Sequence, residues 1–320
     1  AREIATALPG VAWYETGGPE AVAGILAEGV LRKTPERRAV VYTAENHTQA
    51  AELLAAAVRA RLGMAAGTLG ERMLFLNTVI GKMSGVVTEP DVMRSAGLAP
   101  MVPRGERAVL VEEFNRILIS KIRWRDFRRG LTVLEERDDL RPFAEAKLYG
   151  HNAVHALLGF LGHRRWYHWM AQVAADADLM ALGRSAFLEE SGTALCRRHG
   201  GRDPLFTAEG FRDYADDLLR RMTNPYLGDT VARVIRDPRR KLGWNDRLIG
   251  AMRLAMEYGV RPTRLALGAA AAVRTLAETE GSTVPALLTT LWREDAPDAA
   301  ERNLVLALLR EADEQLGSGG

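Results

Sequence analysis

His151-Asn152-Ala153-Val154-His155 sets two imidazoles four residues apart, and Lys147 stands four residues before the first of them. On a helix turning 100° per residue, Lys147, His151 and His155 fall within about 80° of one another, with Asn152 about 60° beyond His155. Two histidines at this spacing invite a zinc reading. The metalloprotease form of that motif needs a glutamate directly after the first histidine as general base. Asn152 stands there and has no proton to titrate, and no carboxylate is placed as an obvious third ligand. No metal site is expected. The lysine is the better chemical candidate. Ahead of the apolar run Ala156–Leu161 its charged form is disfavoured, which moves its pKa toward the range useful for a general base. On the residues alone, a solvated polar face is an equal alternative.

Other candidates read more plainly. The basic run Arg233, Arg236, Arg239, Arg240, Lys241 is either a phosphate patch or a solvated helix end, and composition favours the helix end. Trp166, Tyr167 and Trp169 read as core or interface aromatics. His163/His168 and Cys196/His199 lack a partner pattern and read as surface or packing residues.

The elements that must position these residues change character along the chain. Gly10–Glu15 reads as a short strand, 21–31 as a helix, and Arg38–Thr43 as a strand buried on both faces. Thr48–Leu62 reads as a helix with Thr48 as N-cap, and Arg72–Leu76 as a strand ending at Asn77. Strands alternating with helices suggest a doubly wound sheet. Residues 88–106 carry three prolines and read as an excursion, Ala108–Phe114 as one more strand, and the chain from Pro142 onward as helical. Asn224-Pro225 and Asp295-Ala296-Pro297 look like helix starts. The expected fold class is α/β plus all-α: a partial Rossmann-type domain over 1–105, then a mainly helical substrate domain over 106–320.

Composition bounds the function. With 47% hydrophobic and 26% charged residues, the 320-residue chain is an ordinary globular protein. A net charge of +2 is too balanced for a nucleic-acid surface, and no apolar run approaches a membrane span. One cysteine excludes an internal disulfide and suits a reducing cytoplasm.

Lys-x4-Asn-x2-His, formed by Lys147, Asn152 and His155, resembles the catalytic helix of the polyol-specific long-chain dehydrogenases, the mannitol dehydrogenase family. Its branches include mannitol-1-phosphate 5-dehydrogenases, mannitol 2-dehydrogenases, and fructuronate and tagaturonate reductases. Further stretches agree in order: Thr16-Gly17-Gly18-Pro19, Val41–Asn46, Phe75–Val79, Val111–Phe114, and Asn224–Asp229 followed by Arg233 and Arg236–Leu242. Phe187–Gly192 and the Asn-Pro-Tyr-Leu wording are similar to the mannitol-1-phosphate branch.

The resemblance implies a metal-independent oxidoreductase moving a hydride between NAD and a sugar-alcohol phosphate, of the mannitol 1-phosphate and fructose 6-phosphate type. It implies Lys147 as general base, Asn77 and Asn152 as holders of the reacting oxygen, and His155 as an orienting donor. Glu113, Arg233 and Lys241 would contact substrate, the two cations finding a purpose in its phosphate. Gly18, Glu45 and Asn46 would lie at the cofactor, on the carboxyl edge of the sheet. A cytoplasmic monomer or weak homo-oligomer, with no nucleic-acid or membrane partner, is expected.

Two departures qualify this. No G-x-G-x-x-G occurs; Gly63-x3-Gly67-x2-Gly70 has the wrong spacing and follows a helix. The agreement starts inside the second half of a dinucleotide domain, without an initiator methionine, so a truncated chain that binds NAD weakly is expected. Ile80-Gly81-Lys82 stands where the family commonly has V-D-R. The rivals are a uronate reductase, a free-polyol dehydrogenase, and a catalytically silent binding homologue.

Overall fold

A computed structural model describes residues 1–34, 36–113, 116–292 and 298–318. It divides into two compact units, each built from two stretches of chain: Ala1–Lys82 with Glu113–Ala144, and Met83–Glu112 with Glu145–Gly320. An N-terminal sheet region is followed by a mainly helical C-terminal part.

The first unit is built on a five-stranded sheet. Its strands are β1 (Glu3–Thr6), β2 (Ala39–Thr43) and β3 (Met73–Ile80), joined by β6 (Ile117–Ser120) and β7 (Leu134–Arg137) in the order β1-β2-β3-β6-β7. β1, β2 and β3 run parallel, linked through helices α1 (Val22–Leu31) and α2 (Ala50–Leu62). β6 pairs antiparallel to β3 and parallel to β7. β2 shows why its sequence does not alternate. Val41 packs with Val30, Leu54 and Val58 from the two helices, while Val40 and Tyr42 pack on the opposite face with Leu76, Ile119 and Leu134. Successive side chains point to opposite faces, so a strand covered on both sides is apolar throughout.

Three local readings are corrected. Residues Val11–Tyr14 form a 3₁₀ turn, not a strand; Trp13 N–H closes onto the Gly10 carbonyl at 3.1 Å, turning Tyr14 inward and Trp13 outward. Thr48 is not an N-cap. Helix α2 begins at Ala50, and the free Ala51 N–H is taken at 2.9 Å by Asn77 Oδ1 from β3. β3 continues past Asn77 to Ile80 because Thr78, Val79 and Ile80 pair with β6, a strand the sequence reading missed, as it did β1, β7 and the strand Ser84–Val87.

The second unit holds the antiparallel hairpin of β4 (Ser84–Val87) and β5 (Ala108–Val111), with the 88–106 excursion as its connection. β5 stops at Val111, and Phe114 lies outside the described residues. So does 295–297, the Asp-Ala-Pro helix start. At the centre of this unit is helix Asn152–Arg164, against which helices Val231–Ile235, Ala177–Ser185 and Thr263–Glu280 pack. Gly159 is required there: a Cβ would lie 2.5 Å from Val234 Cγ1. Trp166 and Trp169 are 91% and 44% exposed, so neither is a core residue. Among the described residues, no helix is long and apolar enough to cross a membrane.

Candidate active site

Lys147 does not sit on a regular α-helix. Residues Ala146–His151 form a π turn, and the Asn152 N–H reaches back to the Lys147 carbonyl, five residues earlier. In an α-helix five residues turn through about 500°, which would set Asn152 about 140° away from Lys147. The wider turn uses fewer degrees per residue, so Asn152 comes round toward the face that carries Lys147. Interruptions of this kind are common at functional sites. Burial, and then the nearby charge of Arg247, lower the Lys147 pKa from 10.5 to about 8. His151, buried on the same turn, is held well below its ordinary value by desolvation and by the surrounding charges of His155, Lys147, Arg221 and Arg247. It is a neutral imidazole at physiological pH.

One turn further on, His155 Nε2 is buried, with no hydrogen-bond partner among the described residues. It lies 3.5 Å from Asp229 Oδ2, an ion-pair distance beyond ordinary hydrogen-bond range. Burial alone would raise the Asp229 pKa, but His155 and Arg233 hold it below the usual carboxylate range. Arg233 grips that carboxylate with Nε and Nη2, both at 2.5 Å. The close approach at Gly159 is what lets helix Val231–Ile235, capped by Thr230, sit this near the helix of His155. A carboxylate therefore stands beside His155, though not as part of a ligand group. Among the described residues, no three His, Cys, Asp or Glu side chains group as a metal site.

Lys241 arrives from a separate helix. The chain breaks after Ile235, Asp237 takes a left-handed φ of 59° and caps the next helix, and Pro238 begins it. Lys241 is 5% exposed, donates to the Arg236 carbonyl, and is lowered to about 8 by burial and the charges of Arg247 and Arg240, against the pull of Asp237 and Asp246. Arg239 and Arg240 pair with Glu280 and Asp237, as a solvated helix end would. Glu113 is exposed on a bend. Its neighbour Glu112 turns inward and takes Arg221 in a two-pronged ion pair. Arg221, Arg247 and Asp229 are the contributors the sequence reading missed. Only Asp229 left a signal, lying four residues before Arg233 and just ahead of the Thr230 cap of its helix.

In the other unit, Glu45 is nearly fully buried at the carboxyl end of β2 and accepts from Thr6 Oγ1 at 2.9 Å, Leu8 N–H at 3.0 Å and Tyr14 hydroxyl at 2.6 Å. Asn46 follows it and is exposed. Asn77 is committed to α2, accepting from Ala51 and donating to both Glu52 oxygens at 3.0 and 2.8 Å. Gly18 has φ +63 in a 3₁₀ turn, and its carbonyl accepts from Arg61.

Residues 139–313 match the family model for the mannitol dehydrogenase C-terminal domain, a span that takes in Lys147, Asn152, His155, Arg233 and Lys241. The chain belongs to the mannitol dehydrogenase family. Within that family of polyol dehydrogenases, its fold is similar to D-sorbitol dehydrogenase in substrate-free form, with a TM-score of 0.70 at 18% identity over 94% of this chain and 67% of that one. It is also similar to the Pseudomonas fluorescens mannitol 2-dehydrogenase ternary complex with NAD and D-mannitol, with a TM-score of 0.72 at 16% identity over 98% of this chain and 68% of that one. At such identities the likeness is one of fold.

The dehydrogenase fold raises the question of where a dinucleotide would sit. Parallel strands β1–β3 offer the usual carboxyl edge, with Asn46 exposed upon it. The pyrophosphate cradle does not fit these residues. Gly18 owes its glycine to a left-handed φ of +63, with open space where a Cβ would lie, and Glu45 is engaged in holding Thr6, Leu8 and Tyr14.

Proposed function

We propose that this chain carries the substrate-side chemistry of an NAD-dependent polyol dehydrogenase. The observation that carries the reading is Lys147, half-buried, lowered to about 8, and brought by a π turn toward the face of Asn152. Its amine near neutrality takes a hydroxyl proton, as a general base must. Loss of that proton leaves an alkoxide, whose carbon–hydrogen bond then breaks as the carbonyl forms. Hydride acceptance is what the cofactor supplies. The Asn152 amide and His155 Nε2 supply donors to the reacting oxygen as its charge changes. Asn77, in the other unit, keeps its Nδ2 on both Glu52 oxygens.

The substrate is proposed to be an uncharged polyol oxidised to a ketose. Arg233, the cation assigned to a phosphate, has its fork filled by Asp229, and Arg221 and Arg247 have Glu112 and Asp246. The second reading, a phosphorylated polyol such as mannitol 1-phosphate, draws on the positive field that Arg247 imposes on Lys147, Lys241 and His151. Turnover of paired free and phosphorylated hexitols with NAD, in wild type and Lys147→Ala, tests both. No Lys147-dependent activity on any polyol would end the proposal.

A further inference from the structure

Two π turns meet in this fold. Ala186–Gly192 is the second, its own Thr193 N–H reaching back five residues to the Leu188 carbonyl. Ser191, wholly buried within it, donates its hydroxyl to the Tyr149 carbonyl of the first turn at 2.7 Å. Phe187 of the second turn lies against Gly150 of the first, so closely that a Cβ on Gly150 would stand 2.8 Å from Phe187 Cε2. Phe187 is in turn stacked edge-on by Phe211 and Tyr214. The second turn is fixed from behind as well. Glu190 accepts from the Arg264 and Leu265 N–H groups at 2.8 and 2.9 Å, anchoring the start of helix Thr263–Glu280.

We propose that Ser191 is a positioning residue for the dehydrogenase reaction: through the Tyr149 carbonyl it holds the first turn in its wide register, and so keeps Lys147 and Asn152 toward one face. An α-helical repeat would bond the Lys147 carbonyl to the His151 N–H, shifting Asn152 round the axis. A carbonyl partner supplied from outside the helix favours the register that uses it. The inference rests on Lys147 as the base.

Arg247, from the loop before helix Ile249–Glu257, is the charge that lowers Lys147, and the neutral His151 stands on the same turn. Arg221, on helix Ala208–Met222, faces His151. On the packed elements, Glu190 is committed to helix Thr263–Glu280, Arg253 to Glu301, and Glu257 to Arg198. None of these touches the Ser191 hydroxyl, so removing that hydroxyl leaves every charge in place.

The test compares wild type, Ser191→Ala, Ser191→Thr, Lys147→Ala and the Ser191→Ala/Lys147→Ala double variant, reading kcat for polyol oxidation against pH. Ser191→Ala is expected to lower kcat roughly ten- to hundred-fold, the scale of an ångström-level misplacement. Its ascending pH limb should move from near 8 toward the ordinary lysine range as the amine loses its burial. Ser191→Thr keeps the hydroxyl and should keep the limb at the wild-type position even if it folds less stably. On the Lys147→Ala background, Ser191→Ala should have no further effect. A Ser191→Ala enzyme with a wild-type limb, or a loss that simply multiplies on Lys147→Ala, overturns the positioning role. Full activity in Lys147→Ala alone overturns the base assignment on which it rests.

Discussion

Glu112 and Arg221 lie 109 positions apart in sequence and meet in a two-pronged ion pair, Nε at 2.8 Å and Nη2 at 2.6 Å, both side chains nearly buried. Glu112 also accepts the Met83 N–H, so one carboxylate ties together both strands of the β4–β5 hairpin and helix Ala208–Met222. Glu112→Ala takes the two-pronged partner from the guanidinium beside His151 and leaves it the Asp217 carboxylate at 3.1 Å. It is expected to destabilise the protein by about 3–5 kcal/mol, the range for breaking a buried pair from one side. Denaturant titration measures it; a change below 1 kcal/mol would class the pair with exposed ion pairs.

Lys147→Ala should cut polyol oxidation by roughly two orders of magnitude or more. The wild-type pH profile carries the same assignment. Oxidation needs the neutral amine and should fall as pH drops below about 8, whereas ketose reduction needs the ammonium and should fall as pH rises past it. Initial rates in both directions check this, and limbs that do not mirror each other point to another group.

The same lysine should weigh on stability. Its pKa is about 8 folded and 10.5 unfolded, so between those values the unfolded chain binds the extra proton and stability rises with pH. Below pH 8 the burial penalty is felt in full. Lys147→Met, which keeps the length and removes the charge, should therefore raise the melting temperature by a few degrees at pH 7 and by less at pH 10. A melting temperature lowered equally at both would show that the ammonium is stabilising where it sits.

Arg233→Ala should weaken free and phosphorylated polyols alike. The guanidinium is held by Asp229, and its loss is transmitted through that carboxylate to His155. Michaelis constants for a matched substrate pair give the answer. A rise confined to the phosphorylated member, by the 1.5–3 kcal/mol of a charged hydrogen bond, would transfer the proposal to the sugar-phosphate reading.

Chelators should leave turnover unchanged in the metal-free mechanism proposed. Loss of activity in EDTA, restored by zinc, would reinstate the His151 and His155 pair as ligands, now with Asp229 beside His155.

Much of this was legible where one residue carries its own instruction. The β2 run declares itself because both faces are covered, and Pro238 separates Arg233 from Lys241 by chemistry any helix must obey. What was hidden depends on partners distant in sequence. Thr48 looks like a cap, but a strand asparagine does that work; the face shared by Lys147 and Asn152 follows from a π turn that a fixed 100° repeat cannot show. Glu112 and Glu113 are equivalent by eye, and only the arginine waiting on another helix separates them.

The interleaved chain has a consequence for how the protein is made. Met83–Glu112 belongs with Glu145–Gly320, so a ribosome delivers the hairpin before the helices it packs with. Glu112 emerges more than a hundred residues ahead of Arg221 and, at about 5–20 residues per second, waits on the order of ten seconds for its partner. During that interval Ala108 of the hairpin, fully buried in the finished protein, has no finished body to cover it. The helical unit is thus completed late in translation, and its vulnerable stage is the nascent chain rather than the finished protein.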